Sequence, residues 1–212
     1  LLFGGITLAY TALGGIRSVI WTDCLQGFIF IAAGVTGSLW LLLEIGPVHA
    51  LEVAAEAGRL EIFRLVTSGE GFMGWFNDPQ WLVTALLFGF LSTTAALGTD
   101  QDMAQRLLAS RTAPLARRSL VMSGFVAVPV AALFLLIGVL LHVYFQQFPD
   151  PNFPQREVAG QLVPDSDKAF SYFMTTGIPS WLRALLLTGV LAAAMSSLDS
   201  AMAALSTSAV RD

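Results

Sequence analysis

From residue 119 to residue 149 the sequence runs without a single Asp, Glu, Lys or Arg. Such a run exceeds the roughly 20 apolar residues that a helix needs to cross the hydrocarbon core of a bilayer. The same charge-free character recurs at 1–16, 24–43 and 79–99, and 184–210 is interrupted only by Asp199. In lipid the backbone must satisfy its own hydrogen bonds, and a single segment does so only as a helix. The expected fold class is therefore all-α, a polytopic helical membrane protein with five transmembrane helices. Their expected bounds are about 1–20, 24–43, 79–109, 119–145 and 182–210, with outer loops at 44–78 and 146–181. Charged residues make up 12% of the chain, about half the share of a soluble domain. That excludes a soluble enzyme, a disordered tail and a disulfide-stapled secreted domain. The one cysteine, Cys24, has no partner for an internal bridge. A formal net charge of −4 argues against nucleic-acid binding. The chain opens at Leu1 within an apolar run and stops at Arg211-Asp212, so it reads as an internal segment of a larger membrane protein.

The connections between spans carry the charge. Arg106, Arg111, Arg117 and Arg118 crowd one short link, which the excess of basic residues in inner loops assigns to the cytoplasmic side. Gly14-Gly15 allows close helix contact, and Arg17 marks a water-facing end. In the 44–78 loop, Leu51, Ala54, Ala55, Gly58, Ile62 and Leu65 fall at helical spacing, which predicts an amphipathic surface helix. Pro129 predicts a kink in the fourth span, and His142 an interfacial position. Residues 169–178 predict a short helix over the outer face, with Tyr172 and Trp181 at headgroup level.

The third element is the unusual one. Residues 81–91 read as membrane helix, then Ser92-Thr93-Thr94 and Gly98 interrupt the apolar run. Thr99, with Asp102 three residues later, reads as the capped start of a fresh helix. Two half-helices within 79–109 are expected, or else a helix with a simple glycine kink. Irregular backbone at membrane depth is tolerated where it lines a cavity, and broken helices point to transporter binding sites.

The fifth span places Gly189, Ala193, Ser196, Ser200 and Ala204 on one face, a stripe that lets another helix or an ion approach closely. Ser196 and Ser197 follow Ala193 by three and four residues. Their hydroxyls and the Ala193 carbonyl converge on one point, where oxygen ligands suit sodium. The alternative is that both hydroxyls return a hydrogen bond to the backbone four residues earlier. A carboxylate such as Asp199 costs about 2.5–3.5 kcal/mol at the centre of a span on insertion scales. It faces a cavity or a partner, or else lies wetted near the inner end. No His or Cys cluster offers metal or nucleophile chemistry. Neither Asp23 nor Asp199 stands in the Tyr-Asp or Gly-x-Gly-Asp context of an intramembrane aspartyl protease.

Three segments together resemble signatures of the sodium:solute symporter family. The first is Tyr10-Thr11-Ala12-Leu13-Gly14-Gly15-Ile16-Arg17-Ser18-Val19-Ile20-Trp21-Thr22-Asp23, followed by Gln26. The second is Gly98-Thr99-Asp100-Gln101 with Gln105-Arg106, and the third is Leu191-Ala192-Ala193-Ala194-Met195-Ser196-Ser197-Leu198-Asp199-Ser200. The resemblance implies part of a LeuT-type bundle of inverted five-helix repeats, here the last two helices of one repeat and the first three of the next. It implies a partial sodium site at the Ala193 carbonyl and the Ser196 and Ser197 hydroxyls. It also implies an ion path that includes Asp23 and Asp199, and a solute pocket lined by Thr93, Thr94 and Ala96. The Asn, Tyr and Lys of sugar-transporting members fall on Thr93, Ala96 and about Ala127, so the resemblance names no sugar.

The implied activity is sodium-coupled symport of a small organic solute by alternating access. Such a protein is no enzyme and takes no cofactor, with Na+ as coupling ion. Its partners are sodium, the solute and the lipid bilayer, and its place is a multi-pass position in a bacterial inner membrane. The alternative is a membrane sensor whose symporter-like part feeds a signalling domain.

Overall fold

The computed structural model describes residues 2–59, 81–158 and 161–211. They are helical except for one hairpin and short connections. The chain divides into two compact units, Leu1–Val53 with Ser123–Asp212, and Ala54–Met122. Ile62 and Leu65 of the expected surface helix lie outside the described residues, as do the side chains of Arg17, Asp102 and Ala204.

In the first unit α1 (Leu2–Ile45) is two helices joined at Gly15, whose φ of 60° and ψ of −159° are non-helical. That region of backbone space is essentially closed to residues with a Cβ. The Ser18 hydroxyl donates to the Gly15 carbonyl at 2.8 Å, which holds the break. A Cβ on Gly14 would lie 2.5 Å from that of Ser18. The sequence put the division between spans at about 20–24. The chain instead turns earlier, and Ser18–Ile45 forms one apolar helix of 28 residues. Trp21, Thr22 and Asp23 therefore sit inside a helix. Thr22 needs no loop to satisfy it, because its hydroxyl donates to the Ser18 and Val19 carbonyls at 3.1 and 2.9 Å. After Ile45 the chain continues into α2 (Pro47–Glu56).

The second unit holds α3 (Leu82–Thr99), α4 (Gln101–Leu108) and the first turns of α5 (Ala113–Gln147). The discontinuity lies at Asp100, which is extended at φ −78° and ψ 111°. Residues 92–98 do not interrupt the helix. Thr99 is the last residue of α3 and not the cap of α4, since its hydroxyl donates back to the Ala95 carbonyl at 2.8 Å. The first bond of α4 runs from the Ala104 N–H to the Asp100 carbonyl. Serine and threonine satisfied this way are compatible with an unbroken helix.

The rest of the first unit is α5 beyond Met122, a polar connection and α7 (Ser180–Arg211). Among the described residues three helical stretches are long and apolar enough to cross a membrane, Ser18–Ile45, Ala113–Gln147 and Ser180–Met202; Leu82–Ala96 is a shorter apolar helix. The protein is thus an all-α integral membrane protein. Pro129 lies inside α5, and His142 has Gln146 within 3.2 Å one turn on.

The connection from α5 to α7 contains an antiparallel hairpin that its proline-rich sequence did not announce. Strand β1 (Gln155–Val158) pairs with β2 (Gln161–Pro164) in the register Gln155↔Pro164 to Val158↔Gln161. A short 3-10 turn, Ser166–Lys168, leads into α6 (Ala169–Thr175), within the expected 169–178. Phe173 of α6 is 1% exposed and anchors this layer. Its ring centroid lies 5.8 Å from that of Trp40 on α1 and 5.5 Å from that of Tyr144 on α5. Tyr172 donates to Asp150 Oδ2 at 2.6 Å. This bond, with the Asn152 N–H on the same carboxylate, holds Asp150 below the usual carboxylate range, and it raises the Tyr172 phenol above its usual value.

Candidate functional site

The site is built where α1 and α7 run side by side. Their contact depends on Gly189: a Cβ there would stand 2.7 Å from the Ala33 Cβ and 3.7 Å from the Phe30 Cα. Further along, Gly37 faces Leu186. Small residues at such crossings let backbones approach and gain dispersion contacts that lipid cannot match. α5 meets α1 differently, through the stacked rings of Phe30 and Phe134 with centroids 4.5 Å apart. Gly34, Gly138 and Gly189 contribute to an apolar cavity of about 330 Å³ between the three helices.

Two turns beyond Gly189 the interface becomes polar. The Ser196 hydroxyl donates to Asp23 Oδ1 at 2.8 Å, a contact between residues 173 apart in sequence. The Ser197 hydroxyl donates to the Ala193 carbonyl of its own helix at 3.2 Å. The expected pattern of returned hydrogen bonds therefore holds for Ser197, whereas Ser196 reaches across to α1. Asp199, one turn past Ser196, is 0% exposed. Of the alternatives for this residue, the structure has the buried one. Gln26, one turn past Asp23, is also buried, and its Oε1 has no hydrogen-bond partner.

Asp23, Gln26, Ser196 and Asp199 thus bring oxygen-bearing side chains to two neighbouring helices of one unit. Ala193 and Ser197 add a carbonyl and a hydroxyl on α7. Such oxygens are the ligand type that hard cations take. Among the described residues no group of three or more His, Cys, Asp or Glu forms a metal-binding cluster. Gln26 follows the first of the signature segments in sequence, but the site reading from sequence did not include it. Thr93, Thr94 and Ala96 lie on α3 in the other unit, where all three are exposed on a continuous helix.

Comparison with known proteins gives the arrangement its context. The sodium/sialic acid symporter SiaT of Proteus mirabilis (strain HI4320) is 26% identical over 209 residues, covering 95% of this chain and 38% of that protein. The sodium/myo-inositol cotransporter 2 of Oryctolagus cuniculus is 27% identical over 208 residues, covering 92% of this chain and 30% of that protein. The sodium-dependent multivitamin transporter of the same species is 28% identical over 223 residues, covering 100% of this chain and 32% of that protein. The chain spans about a third of the length of these relatives. No solved structure matches it. The family model described as sodium:solute symporter family matches from residue 1 to residue 212, and the chain belongs to that family.

Proposed function

We propose that this chain forms the central part of a transporter that couples entry of a small organic solute to sodium, in a bacterial inner membrane. The observation that carries the reading is the Asp23–Ser196 hydrogen bond beside the Ala193 carbonyl and the Ser197 hydroxyl. The Ser197 hydroxyl and the Ala193 carbonyl lie close enough to touch one ion together. Rotation of the hydroxyl turns its lone pairs toward that ion. Sodium is then held by Ala193, Ser196 and Ser197, with the remaining ligands supplied from elsewhere in the transporter. Asp23 accepts from Ser196 and offers the departing ion a negative stepping point, and buried Asp199 continues that path.

The solute occupies the face of α3 that carries Thr93, Thr94 and Ala96. Two hydroxyls and a small residue suit a polar solute, and the break at Asp100 gives α3 an end that pivots independently of α4. Alternating access needs no cofactor and no bond-making step. A ligand moves a conformational equilibrium only through unequal affinity for its states, so sodium favours the state in which its oxygens converge. Coupling is reciprocal, and solute therefore tightens sodium binding by the same factor. The family membership and the sodium-dependent relatives support this reading.

The test is uptake by the full-length transporter in proteoliposomes, across a panel that includes sialic acid and myo-inositol. Accumulation is expected with an inward sodium gradient and is expected to vanish when choline or potassium replaces sodium. Equal accumulation in all three salts overturns the reading.

A further inference from the structure

We propose that the first turns of α5 form a binding site for an anionic phospholipid. Its phosphate sits on Arg117 and Arg118, and its acyl chains run along Val121 and Met122. The site is an open depression of about 560 Å³ lined by Ala113, Pro114, Arg117, Arg118, Val121 and Met122.

Charge is the first argument. A helix N-terminus carries partial positive charge and favours anions, yet the first turn of α5 contains no acidic residue. Arg117 and Arg118 instead add two guanidinium groups, both exposed, and Arg111 stands just before the helix. Among the described residues no ion pair reaches Arg111, Arg117 or Arg118. The nearest preceding acid whose surroundings are described is Asp100, at the break before α4. The eight residues of α4 separate it from the 109–112 turn by about 12 Å along the axis. Among the described residues, three guanidiniums and the partial positive charge of a helix end thus stand together without an acidic partner. Guanidinium groups are suited to phosphate because their fork of donors matches two oxygens at once.

Amphipathic lining is the second argument, and it selects a lipid over a free anion. Val121 and Met122 are 53% and 51% exposed, and they begin about 6 Å along the axis from Arg117. Exposed Phe125 and Val128 continue the apolar surface into the span. A ligand that fills the depression must be anionic at one end and apolar at the other, in the order that a phospholipid presents across a bilayer interface. Clusters of Lys and Arg next to a membrane helix attract anionic headgroups in this way.

The experiment is native mass spectrometry of the full-length transporter in detergent, titrated with dioleoylphosphatidylglycerol or dioleoylphosphatidylcholine. R117Q/R118Q is expected to lower the phosphatidylglycerol-bound fraction about tenfold or more and to leave phosphatidylcholine adducts unchanged. R117K/R118K keeps the charges and is expected to retain most of the binding, whereas R156Q, on the hairpin of the other unit, behaves as the unaltered protein. Inorganic phosphate at about 20 mM is expected to leave the lipid adduct in place. On the unaltered protein, raising salt to about 0.5 M weakens phosphatidylglycerol adducts selectively, a readout that does not depend on a variant folding. Equal phosphatidylglycerol binding by R117Q/R118Q, displacement by phosphate, or salt-insensitive binding each overturns the proposal.

Discussion

The Ser196 hydroxyl stands 2.8 Å from Asp23 Oδ1 and ties the polar ends of α1 and α7 together. Ser196 is the donor that orients this carboxylate, and in the proposed function it is also a ligand of sodium. Hydrogen bonds to a charged group are worth about 1.5–3 kcal/mol, of which the lower end is roughly tenfold in an equilibrium. Ser196→Ala is accordingly expected to raise the sodium concentration for half-maximal uptake by about tenfold. Asp23→Asn combined with Ser196→Ala is expected to cost less than the sum of the two single changes, as contacting residues do in a mutant cycle. Strict additivity would remove the coupling between them.

Ser197 offers a contrast, since among the described residues its hydroxyl bonds to the Ala193 carbonyl of its own helix and not across to α1. Ser197→Ala removes no contact between helices, so thermal unfolding is expected to change by less than about 0.5 kcal/mol. Its sodium dependence is nonetheless expected to weaken several-fold. A variant that unfolds earlier but keeps its sodium dependence would make Ser197 a purely structural residue.

Gly189 is where the two helices have no spare room, the nearest carbon being the Ala33 Cβ at 2.7 Å from an added methyl. Gly189→Val is expected to destabilise by about 1–3 kcal/mol, the usual cost of overpacking. Ala33→Gly in the same chain returns part of the lost space and is expected to recover part of the stability. Unfolding in a graded SDS mixture measures both, and a Gly189→Val protein as stable as the original would contradict the packing described.

Gly15 is a backbone position and not a packing one. Its φ of 60° with ψ of −159° lies in a region that costs a residue with a Cβ about 1–3 kcal/mol, and nothing stands within 4 Å of the added methyl. Gly15→Ala should therefore lower stability through strain alone. An unchanged melting temperature would mean that the break is not held in this conformation.

The bond from Tyr172 to Asp150 sets a pH window for the loop between α5 and α7. Asp150 is held below its usual range by the Tyr172 hydroxyl, so its contribution to stability is present above the ordinary carboxylate pKa. It is lost as pH falls through the lower folded value. Tyr172 is raised, and its contribution is present below the ordinary phenol pKa and lost as pH rises through the higher folded value. Hydrogen exchange across 150–176 is expected to show constant protection from about pH 5 to pH 9 and weaker protection beyond either limit. Tyr172→Phe should raise the Asp150 titration part of the way toward the usual value of about 3.9, with the Asn152 N–H still holding it down. A titration unmoved by that substitution would break the link.

Much of the fold was legible in where charge is missing. The runs at 24–43 and 184–210, and that at 119–149 as far as Gln147, lie within helices long enough to span a bilayer, because lipid leaves an apolar segment no other way to satisfy its backbone. The boundaries were less legible. Trp21-Thr22-Asp23 looks like a polar link, but Thr22 satisfies itself within the helix and Asp23 finds Ser196, so the chain turns at Gly15 instead. Ser92-Thr93-Thr94 looked like a break for a similar reason, yet α3 passes through them unbroken to Thr99. In the site, the spacing of Ala193 and Ser197 gave their mutual approach directly. The Ser196–Asp23 contact is tertiary, and no local spacing encodes it. The hairpin at 155–164 was hidden because its strands, Gln-Arg-Glu-Val and Gln-Leu-Val-Pro, have four residues each and lack the alternation that marks a half-buried strand.

The absence of a side chain at position 189 reaches further than packing. Helices are stiff rods, and Ser196 lies about 10 Å along α7 from this narrowest crossing. A methyl group inserted there acts as a wedge at the fulcrum of a lever, and the angle it opens separates the oxygens at the far end. If the proposed sodium site holds, its choice between a smaller alkali ion and a larger one is open to adjustment from a residue that touches neither.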